Sequence, residues 1–240
     1  MNSVENRPAS IDDIVEPMDI QSAIEGLSEL EQRQLMKTMD TYQGLKEGLL
    51  AYVGRGLDYA WGSDTSMDPY GWSPKNKAHM QCRNTVLIIN EKVDELRREY
   101  SEKLKEEPIS ERVRYIMEQF LADPQGNEIH YTEAILPDEG QESHYYNFID
   151  GAVVDKSASQ FPNKTKIPLG GPVIKSKNDK KLNGKPAIER LLEEEVNSTR
   201  YKNLQKRFQK YEVLTALVSQ MMKDFYDNGP NKDVALAAEK

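Results

Sequence analysis

From Tyr201 to Phe225, apolar and small side chains recur at steps of three and four: Tyr201, Leu204, Phe208, Tyr211, Thr215, Val218, Met222 and Phe225. Three heptads in register predict a long helix with one adhesive seam. Asn228-Gly229-Pro230 stops it, because glycine permits a left-handed C-cap and proline cannot continue a helix. The expected helix covers 187–227, about 60 Å at 1.5 Å per residue. A 240-residue globule cannot cover such a rod, so part of it is expected to protrude or to pack on a partner. Tyr201, Leu204, Phe208, Tyr211, Val218, Met222 and Phe225 are therefore the candidate interface of a homo-oligomer.

Upstream the same period returns. Asp19 to Glu25 is a short helix, broken by Gly26. Ser28 and Glu31 match the capping box, a hydroxyl followed three residues later by a carboxylate. The helix behind it is expected to end near Val53, with Gly54 and Gly56 as its cap. Trp61 to Lys75 reads as a turn-rich loop, and its Trp61, Tyr70 and Trp72 are a candidate aromatic anchor for a partner. Packing of those rings onto the helices is the favoured alternative. Cys82, Val86, Ile89, Val93, Leu96, Tyr100 and Leu104 form a near-heptad seam within a helix over 76–106, and Ser110 caps another. The period then changes. Residues 128–135 and 143–154 read as two strands joined by a turn at 137–141, a β-hairpin.

The expected fold is mainly α: a helical bundle with a β-hairpin insertion and a long C-terminal coiled-coil-like helix. Its parts are a flexible arm at 1–18, a helical domain at 19–122, the hairpin at 123–155, a basic loop at 156–186, the long helix at 187–227 and a tail at 228–240. Hydrophobic residues make up 38% of the chain and charged residues 30%, so the core is thin and wet-faced helices suit it. The longest run of Val, Leu and Ile is four residues, Val86 to Ile89, far short of a membrane span. With one cysteine, Cys82, neither an intrachain disulfide nor a thiolate metal cage can form. A cytoplasmic location, or a virion if the chain is viral, is the reading that fits, with no membrane contact.

Net charge is −8, unevenly spread. Residues 1–155 carry net −15, whereas 156–186 hold eight lysines against one acid, net +7. Lys164, Lys166, Lys175, Lys177, Lys180, Lys181 and Lys185 thus form a basic segment in an acidic protein. Docking on the acidic surface of another subunit ranks first for it, and a solvated loop second. Nucleic acid ranks third, helped by Arg200 to Lys210 on the next helix, because the loop lacks arginine and aromatic interleaving.

Phosphate-binding, dinucleotide and hydrolase-elbow motifs are absent from the sequence. His130 and His144 could face each other across the hairpin, but the remaining ligands of a metal site are not supplied, so a structural role is expected for both. Cys82 reads as a buried inert thiol, with His79 one turn earlier as the neighbouring base. No catalytic residue, cofactor or metal is expected. In layout (helical, one cysteine, arms at both ends, a long terminal helix) the chain resembles bacteriophage virion and packaging proteins such as small terminase subunits. No residue motif carries that likeness. The function read from the sequence is a non-enzymatic, homo-oligomeric assembly or adaptor protein, a viral structural component working with other proteins of an assembly. The alternatives are a nucleic-acid-binding accessory protein using 156–210 and an enzyme around His130 and His144.

Overall fold

A computed structural model describes residues 20–62, 81–136, 140–158, 161, 166–167, 181–182, 185–186 and 195–228. The arm at 1–18, the tail after Asn228, His79, Tyr70, Trp72 and most of the basic loop lie outside the described residues. Helices α1 (Ile20–Glu25), α2 (Glu29–Gly62), α3 (Cys82–Leu104) and α4 (Glu111–Ala122) precede strands β1 (Asn127–Leu136), β2 (Gly140–Ile149) and β3 (Ala152–Val154). Two-residue strands β4 (Lys181–Leu182) and β5 (Lys185–Pro186) pair with each other, and α5 (Thr199–Asn228) follows. The described fold is mainly helical, with a three-stranded antiparallel sheet in the order β1-β2-β3.

The capping box forms as read: Ser28 N–H donates to Glu31 Oε2 at 2.9 Å, and Glu31 N–H donates to Ser28 Oγ at 3.3 Å. Those hydrogen bonds hold the Glu31 carboxyl below its ordinary range. The same carboxylate accepts from Ser110 Oγ at 3.0 Å, and Ser110 caps α4, which ties two helix starts together. Tyr42, Tyr100, Leu104, Met117 and Leu121 fill the contact among α2, α3 and α4.

Four expectations are corrected. Helix α2 does not end near Val53 but runs to Gly62. Gly56 is not its cap: a Cβ there would lie 2.5 Å from Phe208 Cε2 and 2.9 Å from Tyr211 Cδ1, so glycine is what lets α5 approach. Trp61 lies inside α2 rather than in the turn-rich loop, and at 6% exposure it packs with Leu57, Ile88 and Leu204, the packing favoured over an exposed anchor. The helix expected over 187–227 is not continuous. Its helical residues 195–196 are followed by a break at Asn197-Ser198, where the Ser198 hydroxyl accepts from Tyr201 N–H at 3.0 Å and starts α5 afresh.

The hairpin gains a third strand. Asp150 (φ 47°) and Gly151 (φ 82°) form a tight left-handed turn that folds β3 back on β2, pairing Phe148 with Val153 and Asn147 with Val154. A buried charge cluster locks that turn to the helices. Arg97, 5% exposed, donates to Asp150 Oδ1 at 2.8 Å and to the backbone oxygens of Phe120, Leu121, Asp123 and Gly126. Lys46 reaches Asp150 Oδ2 at 2.8 Å, and the Tyr42 hydroxyl donates to the same oxygen at 3.2 Å. One guanidinium thereby satisfies carbonyls that the end of α4 leaves unpaired. It also fixes the sheet against α3.

Candidate active site

Cys82 is the first residue of α3, directly after a stretch outside the described residues. The first ladder bond of that helix runs from Thr85 N–H to Gln81 O at 2.9 Å. The N–H groups of Cys82, Arg83 and Asn84 therefore point off the helix end without an intrahelical acceptor. The thiol is 8% exposed and packs against Val86, Ile129, Tyr131 and Tyr145. Asn147 Nδ2 and Asn127 Nδ2 pin the sheet to this helix by donating to the Val86 and Asn90 carbonyls at 3.1 and 2.9 Å.

His144, on β2, is fully buried. Its Nε2 lies 2.6 Å from Asp155 Oδ2, and the Cys82 thiol is within hydrogen-bonding reach of the same ring. Asp155 Oδ1 is held in turn by the Ser157 N–H and hydroxyl, each at 3.1 Å, and Phe161 stands edge-on to the imidazole at 4.7 Å. The result is a line running from Cys82 through His144 and Asp155 to Ser157. Burial alone would push the His144 ring toward the neutral form. The hydrogen bonds and charges of Asp155 and Cys82 outweigh it and lift the ring to about 9, so at neutral pH it is an imidazolium.

Gln81 and Asn84 pair with each other at the start of α3. Asn84, 1% exposed, donates Nδ2 to Gln81 Oε1 at 2.7 Å, which commits that oxygen and leaves Nε2 as the donor end of the Gln81 amide. Gln81 makes no side-chain cap to its own helix, and Asn84 Oδ1 has no hydrogen-bond partner among the described residues.

His130 and His144 do not face each other. Their register partners are Tyr146 and Thr132, so they sit on a diagonal with the Tyr146 ring 5.5 and 6.3 Å from them. His130 is bound to Glu128 at 3.0 Å and stacks on Phe148 at 4.8 Å. Among the described residues no three His, Cys, Asp or Glu side chains gather as metal ligands would.

The seam of α5 divides in two. Tyr201, Leu204 and Phe208 are buried in a core with Val53, Leu57 and Ile89 of the same chain, and Tyr211 is half-buried between Tyr52 and Tyr59. Their apolar surface is thus covered by α2 and α3 rather than offered to a second copy. Beyond Thr215 every described side chain through Asp224 is exposed, with Val218 at 58% and Met222 at 49%. The Phe225 side chain lies outside the described residues, as do Lys164, Lys175, Lys177 and Lys180. Lys166 is exposed, with its backbone bridged to Ile135, and Lys181 and Lys185 are described only as backbone of the β4–β5 ladder.

Sequence reasoning weighed His79 as the base for Cys82 and paired His144 with His130, and so missed Asp155. The signal was present. Asp150-Gly151 is a strong two-residue turn pair, and folding the chain back there brings Asp155 beside His144. No helix among the described residues is long and apolar enough to cross a membrane. In comparisons with protein-family models, curated proteins and solved structures, nothing matches the chain.

Proposed function

We propose that this chain is a thiol-dependent acyl-transfer enzyme, a hydrolase in which Cys82 is the nucleophile, His144 the acid–base group and Asp155 the residue that orients the ring. The observation that carries the reading is the buried His144–Asp155 hydrogen bond at 2.6 Å with the Cys82 thiol beside the same ring on the first turn of a helix. A thiolate is the reactive form of cysteine, and an imidazolium in hydrogen-bonding reach stabilises it as an ion pair. The thiolate attacks the carbonyl carbon of an ester, thioester or amide, and the carbonyl electron pair moves to oxygen. The Cys82 N–H and Gln81 Nε2 are the donors nearest in sequence to that oxyanion. On collapse the bond to the leaving group breaks, His144 gives its proton to that group, and a thioester remains on Cys82. Water then attacks, His144 takes its proton, and the acid is released with the thiol regenerated.

Because Cys82 is the only cysteine, its modification can be followed by intact mass without ambiguity. Iodoacetamide at pH 6 should alkylate the wild type at least about tenfold faster than His144→Gln or Asp155→Asn, because a neighbouring imidazolium favours the reactive form of a thiol. Equal rates in all three folded proteins would refute the assignment.

A second reading, the oligomeric assembly protein expected from the sequence, is favoured by one observation: the exposed apolar stretch of α5 beyond Thr215. It concerns a different part of the fold and does not compete with the thiol chemistry.

A further inference from the structure

We infer that Arg83 selects the substrate of this site: the acyl group that Cys82 attacks carries a carboxylate, and the Arg83 guanidinium receives it. The inference deepens the thiol reading and rests on Cys82 being the nucleophile. The two residues are neighbours on the first turn of α3, and both lie against Tyr145. The phenol belongs to the apolar cluster that holds the sulfur, and the guanidinium carbon stands 5.4 Å from the centre of its ring. Burial pushes the Tyr145 hydroxyl above its ordinary range, Arg83 pulls it down and the Cys82 thiol pushes it up. One phenol is therefore within electrostatic reach of both groups. The thiol is 8% exposed and the Arg83 side chain 36%, so the cation faces solvent beside a sulfur that is nearly closed off.

The group that Arg83 takes is read from what the chain itself sets there. Glu195 Oε2 lies 3.9 Å from Arg83 Nη1, too long for a hydrogen bond. Its other oxygen accepts from the Ser198 hydroxyl at 3.2 Å, which holds Glu195 to its own segment ahead of α5. Glu133, on the adjoining strand β1, accepts instead from the Tyr131 hydroxyl at 3.1 Å. Among the described residues, then, no carboxylate closes on Arg83 at hydrogen-bonding distance. A guanidinium offers five N–H groups in a flat fork that fits a carboxylate with two parallel bonds. The Tyr145 hydroxyl takes at most one of them, and Glu195 marks the approach of a carboxylate without completing the pair. A substrate carboxylate that completes it brings the carbonyl carbon to the sulfur and holds it there, which is how remote binding orients a reacting centre. The substrate class is an ester, thioester or amide with a carboxylate a few bonds from the scissile carbonyl, such as a monothioester of a dicarboxylic acid.

The test compares iodoacetate with iodoacetamide on the full chain at low salt, followed by intact mass. In both reactions the Cys82 thiolate displaces iodide and forms a thioether, and the reagents differ only in the carboxylate that one of them carries. The ratio of the two rates cancels any change in the thiol's own reactivity, because both consume the same thiolate. In a chain of net charge −8 the anionic reagent is otherwise at a disadvantage. The ratio of iodoacetate to iodoacetamide rates should fall about tenfold in Arg83→Gln, the worth of one hydrogen bond to a charged group. It should rise in Glu195→Gln, which leaves Arg83 in place and removes the competing carboxylate. Equal ratios in the wild type and a folded Arg83→Gln, or a ratio that does not rise in Glu195→Gln, overturn this inference while the nucleophile stands, provided His144→Gln slows both reagents. If His144→Gln slows neither, the reading of Cys82 falls and this inference falls with it.

Discussion

Asp155→Asn should flatten the pH dependence of stability between about pH 6.5 and 9. The His144 ring titrates at about 9 in the fold, against about 6.5 in an unfolded chain. A raised folded value means that the native state binds the proton more tightly. The stability it contributes is complete below pH 6.5 and is lost as the pH rises through 9. At 1.36 kcal/mol per pH unit the gap corresponds to roughly 3 kcal/mol. Little solvent screening reduces that figure, because His144 is fully buried and the Asp155 side chain is only 13% exposed. Asparagine keeps the shape of Asp155 and removes its charge. Urea unfolding at pH 6 and pH 10, followed by far-UV circular dichroism, measures the effect. The wild type should exceed the variant at pH 6 by up to roughly 3 kcal/mol more than at pH 10, the Asp155 share of a shift to which Cys82 also contributes. A parallel pair carrying Cys82→Ala removes the titration of the thiol from the comparison. If the difference between wild type and variant is the same at both pH values, Asp155 does not hold the ring protonated, and the ion-pair basis of the proposed chemistry fails with it.

Two further outcomes follow from the packing. Arg97→Met should cost about 3–5 kcal/mol in the same urea assay, because it breaks a buried ion pair and orphans carbonyls at the end of α4; a loss below about 1 kcal/mol would show that the cluster does not brace the fold. Gly56→Ala and Gly44→Ala should move stability in opposite directions by thermal melting, although both lie inside α2. A methyl added at Gly44 would meet nothing within 4 Å and should gain about 1 kcal/mol of helix propensity. At Gly56 the methyl meets the Phe208 and Tyr211 rings and should cost about 1–3 kcal/mol.

Local chemistry was legible in the sequence, and long-range approach was not. The Ser28–Glu31 box, the Ser110 cap, the α3 seam and the hairpin all stand where the spacing puts them, because each depends on neighbours within one turn or one strand pair. Gly54 and Gly56 read as a helix end because periodicity contains no term for Phe208, some 150 residues later, whose ring occupies the space a side chain at Gly56 would need. Trp61 read as a loop residue because its partners Ile88 and Leu204 belong to other helices. The seam of α5 was visible as a stripe, but a stripe does not say which part meets the same chain. The catalytic candidates were the least legible, since Cys82, His144 and Asp155 sit on three separate elements and only the Asp150-Gly151 reversal brings the last two together.

That reversal has a consequence for biosynthesis. Asp150 is held by Arg97 from α3 and Lys46 from α2, so the turn is secured only on a body whose helices are already in place. Cys82 leaves the ribosome about 70 residues before Asp155, a delay of several seconds at usual elongation rates. Throughout that interval the carboxylate that orients the His144 ring is missing. On the proposed chemistry the thiol therefore gains its base and its orienting carboxylate only when the strand carrying His144 packs on the helix that carries the sulfur.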